Sequence, residues 1–302
     1  MAQLNELKKE LRFNIEFLQL IQTLKNIAAS QYHMLEKEME RFGAFMLAFT
    51  DFFRVVNLVG VDNPLVRGTT DVLGIVVVTS DSGFMGGLNA GVIEAARREA
   101  GDLPAERVRW IVIGDKGASH FLDHHLTFKF FKGISQETRY EQALEIRDYI
   151  VGEVVSRQIG RVSLVYPHPI SFTQQTIETI RILPCGDLFD RASPVEAGPV
   201  TEPLAANLLL RSAREVIVES SFDDMVRYLS EVWVASRLYE VFEDSKLSEY
   251  AARAMHLEGS VQKLEKDLKH LRHRCFRAAH EMVDKGMRES FSSRKKKKKP
   301  AA

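Results

Sequence analysis

The residues best placed to do chemistry lie between 80 and 125. "SDSGFMGGLN", residues 80–89, follows the apolar run "LGIVVV" and leads into "NAGVIEAARREA". A strand, a glycine-rich turn and a helix stand there in the order that cradles a phosphate. However, Gly83, Gly86 and Gly87 lack the G-x-G-x-x-G spacing of a dinucleotide site, and no Gly-Lys-Ser/Thr sets an ammonium against a phosphate. Asp102 and Glu106 sit where a ribose-binding acid would, but acids are too common to carry the reading without the fingerprint. The glycines are expected to serve a tight strand-to-helix turn, permitting positive φ and close helix–sheet packing. "VIGDKGASHF", with Gly114 and Gly117, repeats the device.

"HFLDHH" (120–125) could imitate a metal set, since His120 and His124 are one helical turn apart near Asp123 and His125. No third ligand is evident and there is no H-E-x-x-H pattern. Cys185 and Cys275 form neither a disulfide framework nor a metal spacing, which suits a reducing compartment. No Ser/His/Asp or Cys/His arrangement stands out. The expectation is a chain with no catalytic residue, no cofactor and no metal.

The elements that would hold these residues form two kinds of structure. Strand-like runs at 72–79, 107–114, 126–132, 161–167 and 173–184 are separated, in the earlier part, by helical runs at 87–100, 116–124 and 136–159. That alternation implies a parallel sheet with helices on its faces. "PHPISF" is too short for a crossover, so the last two strands should pair antiparallel at one edge.

On either side run long helical stripes. Apolar residues recur at alternating steps of three and four from Leu4 to Val56, interrupted only by Asn14 and Lys25, and again from Leu247 to Met282 without a slip. Such stripes seal a seam between two supercoiled helices. The fold class expected is α/β plus coiled coil: a long antiparallel N- and C-terminal helical hairpin with a small inserted α/β domain. Its parts are 1–60 (first coiled-coil helix), 68–190 (α/β domain), 191–203 (linker), 204–291 (second coiled-coil helix) and 292–302 (basic disordered tail). At 1.5 Å per residue the helices would be roughly 80 and 130 Å long. If Val56 lies near residue 210, Leu4 lies near residue 262, and the second helix outruns the first with its stripe still apolar. Something outside the chain should face that overhang.

The formal charge of zero is a sum of opposites. Residues 266–299 hold 13 Lys and Arg against 4 Asp and Glu, leaving 28 against 37 elsewhere. This is either a solvated helix with a floppy tail or a basic end that sits in acidic surroundings. "MAQLNELKKELRFNIEF" carries acids and helix-period leucines, so it is read as a helix and not a signal peptide. No apolar run reaches the ~20 residues needed to cross a bilayer.

The motifs resemble the gamma subunit of the F-type rotary ATP synthases. "SDSGFMGGLN" is similar to that family's S-D-R-G-L-C-G-G-L-N, with Ser82 where arginine is usual and Met85 where cysteine is usual. "LKNIAASQ" (24–31) resembles M-x-M-V-A-A-S-K of its first helix. "SEYAARAMHLEGS" (248–260) resembles its last helix through Ser248, Glu249, Ala252, Arg253 and Met255, and "VIGDKG" resembles V-x-G-x-K-G. The chain departs from the family at Gln19, Gln22 and Thr23, where lysines are usual, and at His273 and Phe276 in "LRHRCFRAAHEM". This suggests a divergent branch, with proton and sodium coupling both open.

The resemblance implies a non-catalytic rotor shaft that couples ion flow through a membrane rotor to ATP synthesis or hydrolysis. Its implied partners are the alpha and beta ring subunits, the epsilon subunit and the membrane c-ring. It implies a peripheral place on the cytoplasmic face of the cell membrane, with membrane contact only through the complex, and no specific nucleic acid. The basic residues Lys266, Lys269, Arg272, Arg274 and Arg277 are the candidate ring contacts. Two other readings stay open: a non-rotary coiled-coil scaffold or tether, and a nicotinamide-binding oxidoreductase built on 71–184.

Overall fold

The structure, a computed structural model, describes residues 2–55, 63–185 and 222–297. It comprises two compact units, Ala29–Arg253 and Met1–Ala28 with Ala254–Ala302. In chain order the elements are α1 (Ala2–Val55), β1 (Leu73–Val78), α2 (Leu88–Ala100), β2 (Val108–Ile113), α3 (Asp115–Asp123), β3 (Phe128–Phe131), α4 (Arg139–Val155), β4 (Arg161–Ser171), β5 (Gln174–Leu183) and α5 (Phe222–Lys297). The chain therefore adopts the expected class, with an N-terminal helix, a sheet with helices, and a long C-terminal helix. The expected linker 191–203, the first helix beyond residue 55 and the helical reading of 204–221 lie outside the described residues.

In the first unit the sheet order is β3-β2-β1-β4-β5. β1 pairs parallel with β2 and β4, β2 pairs parallel with β3, and β5 pairs antiparallel with β4. "LGIVVV" does not alternate because β1 is central and buried at every position, covered on both faces as parallel strands are. Ile75 and Val77 face α2 and α3 through Val92, Ala96 and Phe121. Val76 and Val78 face α4 and the first part of α5 through Ile146, Ile150, Leu238 and Phe242. Leaving all this apolar surface in water would cost about 25 cal/mol for each Å².

β4 runs further than its sequence suggests, through Pro167 and Pro169 to Ser171. Prolines interrupt a central strand because they lack the N–H its ladder needs. Here the β1 pairing stops at Val165, so both prolines have only β5 alongside. The Pro167 carbonyl accepts a hydrogen bond from the Ser248 hydroxyl at 3.1 Å instead.

In the second unit, Ile21 packs with Leu257 and Val261, joined by Leu18, Leu24 and Leu264. Lys25 Nζ lies 2.9 Å from Glu258 Oε2. The helices are antiparallel, and these contacts set Leu4 opposite about Ala278, not residue 262, a shift of about 16 residues or ~24 Å. The expected register was anchored on Val56 and residue 210, both outside the described residues, whereas side-chain contacts fix the actual one. The stripe from Leu264 to Ala278 thus faces α1, and Leu4, Leu7, Leu268 and Leu271 are all buried. Among the described residues the stretch without an α1 partner begins later, where Met282, Val283, Met287 and Phe291 are exposed. α5 continues to Lys297, into the segment expected to be a disordered tail. A helix C-terminus favours cations, which suits a lysine run there.

Candidate functional site

The glycine turn is built at the C-terminal end of β1. Gly86 has φ +59° and Phe84, an exposed non-glycine, has φ +66°. Gly87 caps α2 with φ −88°. A Cβ on Gly83 or Gly87 would meet nothing within 4 Å, so close packing is not why those two are glycine. The close approach expected of the turn occurs instead at Gly114 and Gly117, where an added Cβ would collide with Thr79.

The polar groups of the turn are already engaged. The Ser80 amide donates to Asn89 Oδ1 at 3.1 Å and Asn89 Nδ2 donates back to Ser80 Oγ at 2.9 Å. Asp81 Oδ1 accepts from the amides of Asp115 and Gly133 at 2.9 and 3.1 Å, tying three loops together. From α5, Arg253 Nη2 donates to Ser82 Oγ and to Glu249 Oε1, each at 2.6 Å, while Lys246 reaches Glu249 Oε2 at 2.8 Å. Glu249 is buried. The two sequence motifs at 80–89 and 248–253 therefore meet in space. The cavity beside them, lined by Ser80, Met85, Asn89 and Ser245, holds about 10 Å³. One water needs ~10–15 Å³, so a nucleotide has no room there.

In "HFLDHH", His120 and His124 stack with ring centroids 4.1 Å apart. His120 Nε2 lies 3.1 Å from Arg97 Nη2, and His124 Nδ1 is 2.8 Å from the His120 carbonyl oxygen. Burial, then His124 and Arg97, hold His120 below the usual histidine range. Among the described residues no three His, Cys, Asp or Glu side chains converge as metal ligands.

Lys266, Lys269, Arg272, Arg274 and Arg277 are all exposed on α5. At 100° per residue they spread over the arc opposite Leu264, Leu268 and Leu271, and none is paired with a carboxylate among the described residues. On the other helix of this unit, Phe13, Phe17, Leu20 and Ile27 form an exposed apolar stripe, with Phe13 stacked on Phe17.

Two polar knots escaped the sequence reading. Arg139 Nη2 lies 3.3 Å from Glu243 Oε1, the burial of which raises that carboxyl above its usual range. His168 Nδ1 lies 2.8 Å from Asp244 Oδ2. The partners are 104 and 76 residues apart, so no local pattern announces them. Among the described residues no helix is long and apolar enough to cross a membrane.

Comparison with known proteins accords with this geometry. Residues 3–287 match the family described as ATP synthase. The ATP synthase gamma chain of Exiguobacterium sp. is 24% identical over 297 residues, covering 96% of this chain and 97% of that one. A chain of the Euglena gracilis mitochondrial ATP synthase OSCP/F1/c-ring structure superposes with a TM-score of 0.67 at 14% identity, covering 99% of this chain and 97% of its own. One from the Tetrahymena thermophila mitochondrial ATP synthase central stalk/c-ring gives 0.56 at 19%, covering 80% and 99%. These two share the fold. Matched across nearly its whole length, the chain belongs to the ATP synthase family, as a gamma, central-stalk member.

Proposed function

We infer that this central-stalk chain is the rotor shaft itself, without catalytic residues, coupling ion flow through a membrane rotor to ATP synthesis or hydrolysis on a separate ring. The observation that carries this is the α1–α5 pair. Its seam is closed by Ile21, Leu257 and Val261, yet Phe13, Phe17, Met287 and Phe291 stay exposed on its outside. Contiguous exposed apolar groups mark a surface that meets a partner. A ring of alpha and beta subunits supplies that surround, and carboxylates on it would meet Lys266, Lys269, Arg272, Arg274 and Arg277. As an asymmetric shaft turns, its different faces bias which state each catalytic site adopts.

The Euglena neighbour comes from an assembly described with F1 and a c-ring and the Tetrahymena one from a central stalk with a c-ring, which supports a membrane c-ring as a further partner. An epsilon subunit is the remaining partner that the family resemblance implies. The chain would then be peripheral, on the cytoplasmic face, and membrane-bound only through the complex. Affinity purification from native membranes tests this. One copy should be recovered with each hexameric ATPase; recovery as a free monomer or homodimer would favour a scaffold and defeat the rotor reading.

A further inference from the structure

Beyond Val165, β4 has no β1 neighbour, so residues 166–174 and their β5 partners run on as a strut paired only to each other. The strut touches helices at three places within its unit. Ser248 Oγ donates to the Pro167 carbonyl. His168 Nδ1 meets Asp244 Oδ2 at 2.8 Å. Phe172 packs edge-on to Tyr32, with centroids 4.9 Å apart, and stacks on His33.

Three carboxylates face the His168 ring. Asp244 and Glu240 come from α5, and Glu178 from β5, its Oε1 3.8 Å from Nε2. Glu178 Oε2 also accepts from the buried Tyr166 hydroxyl at 3.1 Å. Arg237, a cation that acts on Tyr166, is paired with Glu240 at 2.5 Å. A neutral imidazole would leave Asp244, which is 7% exposed, and Glu178 without a compensating charge. The hydrogen bond to Asp244, chiefly, and the charges of Asp244, Glu178 and Glu240 outweigh burial and raise His168 above its ordinary value.

We propose that His168 is a proton-operated latch, holding the β4–β5 strut more tightly to α5 when charged and loosening that hold when neutral. Because the folded-state value is raised, the added stability is fully present below pH ~6.5 and is lost as pH rises through the folded value. The latch tightens in acid and loosens toward alkaline pH.

The test is a ¹⁵N titration of the imidazoles in the full chain, paired with amide exchange of residues 166–174 corrected for intrinsic rates. His168 should titrate above 6.5, the ordinary value, and strut exchange should accelerate about tenfold for each pKa unit of the shift once pH passes that point. His168→Gln should abolish the acceleration, whereas His33→Gln should keep it. Titration of His168 at or below 6.5, or an unchanged acceleration in His168→Gln, overturns the proposal. Should His168→Gln fail to fold, Glu178→Gln decides: it must lower the pH at which His168 titrates in the otherwise intact chain, and no change there overturns it too.

Discussion

At Gly114 the backbone has φ +95°, and a Cβ would run into the carbonyl oxygen of Thr79. Both backbone strain and collision oppose any side chain there, so Gly114→Ala should destabilise the chain by about 3 kcal/mol or more. Gly87→Ala, with φ −88° and open space around it, should change stability by less than ~0.5 kcal/mol. Denaturant unfolding of both variants checks the contrast. Arg253 matters for a different reason: it neutralises a buried carboxylate and holds Ser82 and the Gly83 carbonyl. Arg253→Ala leaves Glu249 with the Lys246 ion pair and the Ser82 hydroxyl at 3.5 Å, and should cost about 2 kcal/mol, less than a fully orphaned buried charge. Unfolding should show that loss, together with faster amide exchange in residues 80–87.

Among elements, the α1–α5 seam shows how a polar residue can serve alignment. Lys25 interrupts an apolar stripe, but its ammonium reaches Glu258, whose carboxyl is held below the usual range by hydrogen bonds from Lys25 and Gln262. An apolar seam tolerates sliding, whereas a polar seam position fixes register. Lys25→Leu should therefore raise the melting temperature modestly while letting the helices slip. Cysteine pairs placed at the native register should crosslink less selectively in that variant; unchanged selectivity would remove the alignment role. β4 gives a second lesson at this scale. Two prolines would argue against a strand from sequence, but they are harmless where β1 has ended and Ser248 serves the Pro167 carbonyl.

For the whole molecule the deciding quantity is where charge lies. A balanced total conceals 13 basic against 4 acidic residues over 266–299. The five candidate contacts in that stretch find no carboxylate within the chain among the described residues. If they meet acidic groups of a surrounding ring, charge reversal at Lys266, Arg272 and Arg277 together should lower ion pumping per ATP hydrolysed roughly fivefold, the effect of about 1 kcal/mol. Pumping and hydrolysis measured on reconstituted enzyme check this. Raising ionic strength should shrink the difference between variant and parent, because exposed pairs are screened beyond ~8–10 Å.

Hydrophobic period alone determined the fold class. Steps of three and four marked the helices, an unbroken "LGIVVV" marked the central strand, and "PHPISF" forced the antiparallel edge, because each reflects one element's own geometry. The glycine and α5 motifs were visible too, but not that Arg253 and Glu249 close the turn. Register, the site of the overhang and the His168–Asp244 and Arg139–Glu243 knots were settled only by tertiary structure. Their partners lie scores to hundreds of residues apart in sequence, and a repeating seam looks the same at every offset until side chains from both helices meet.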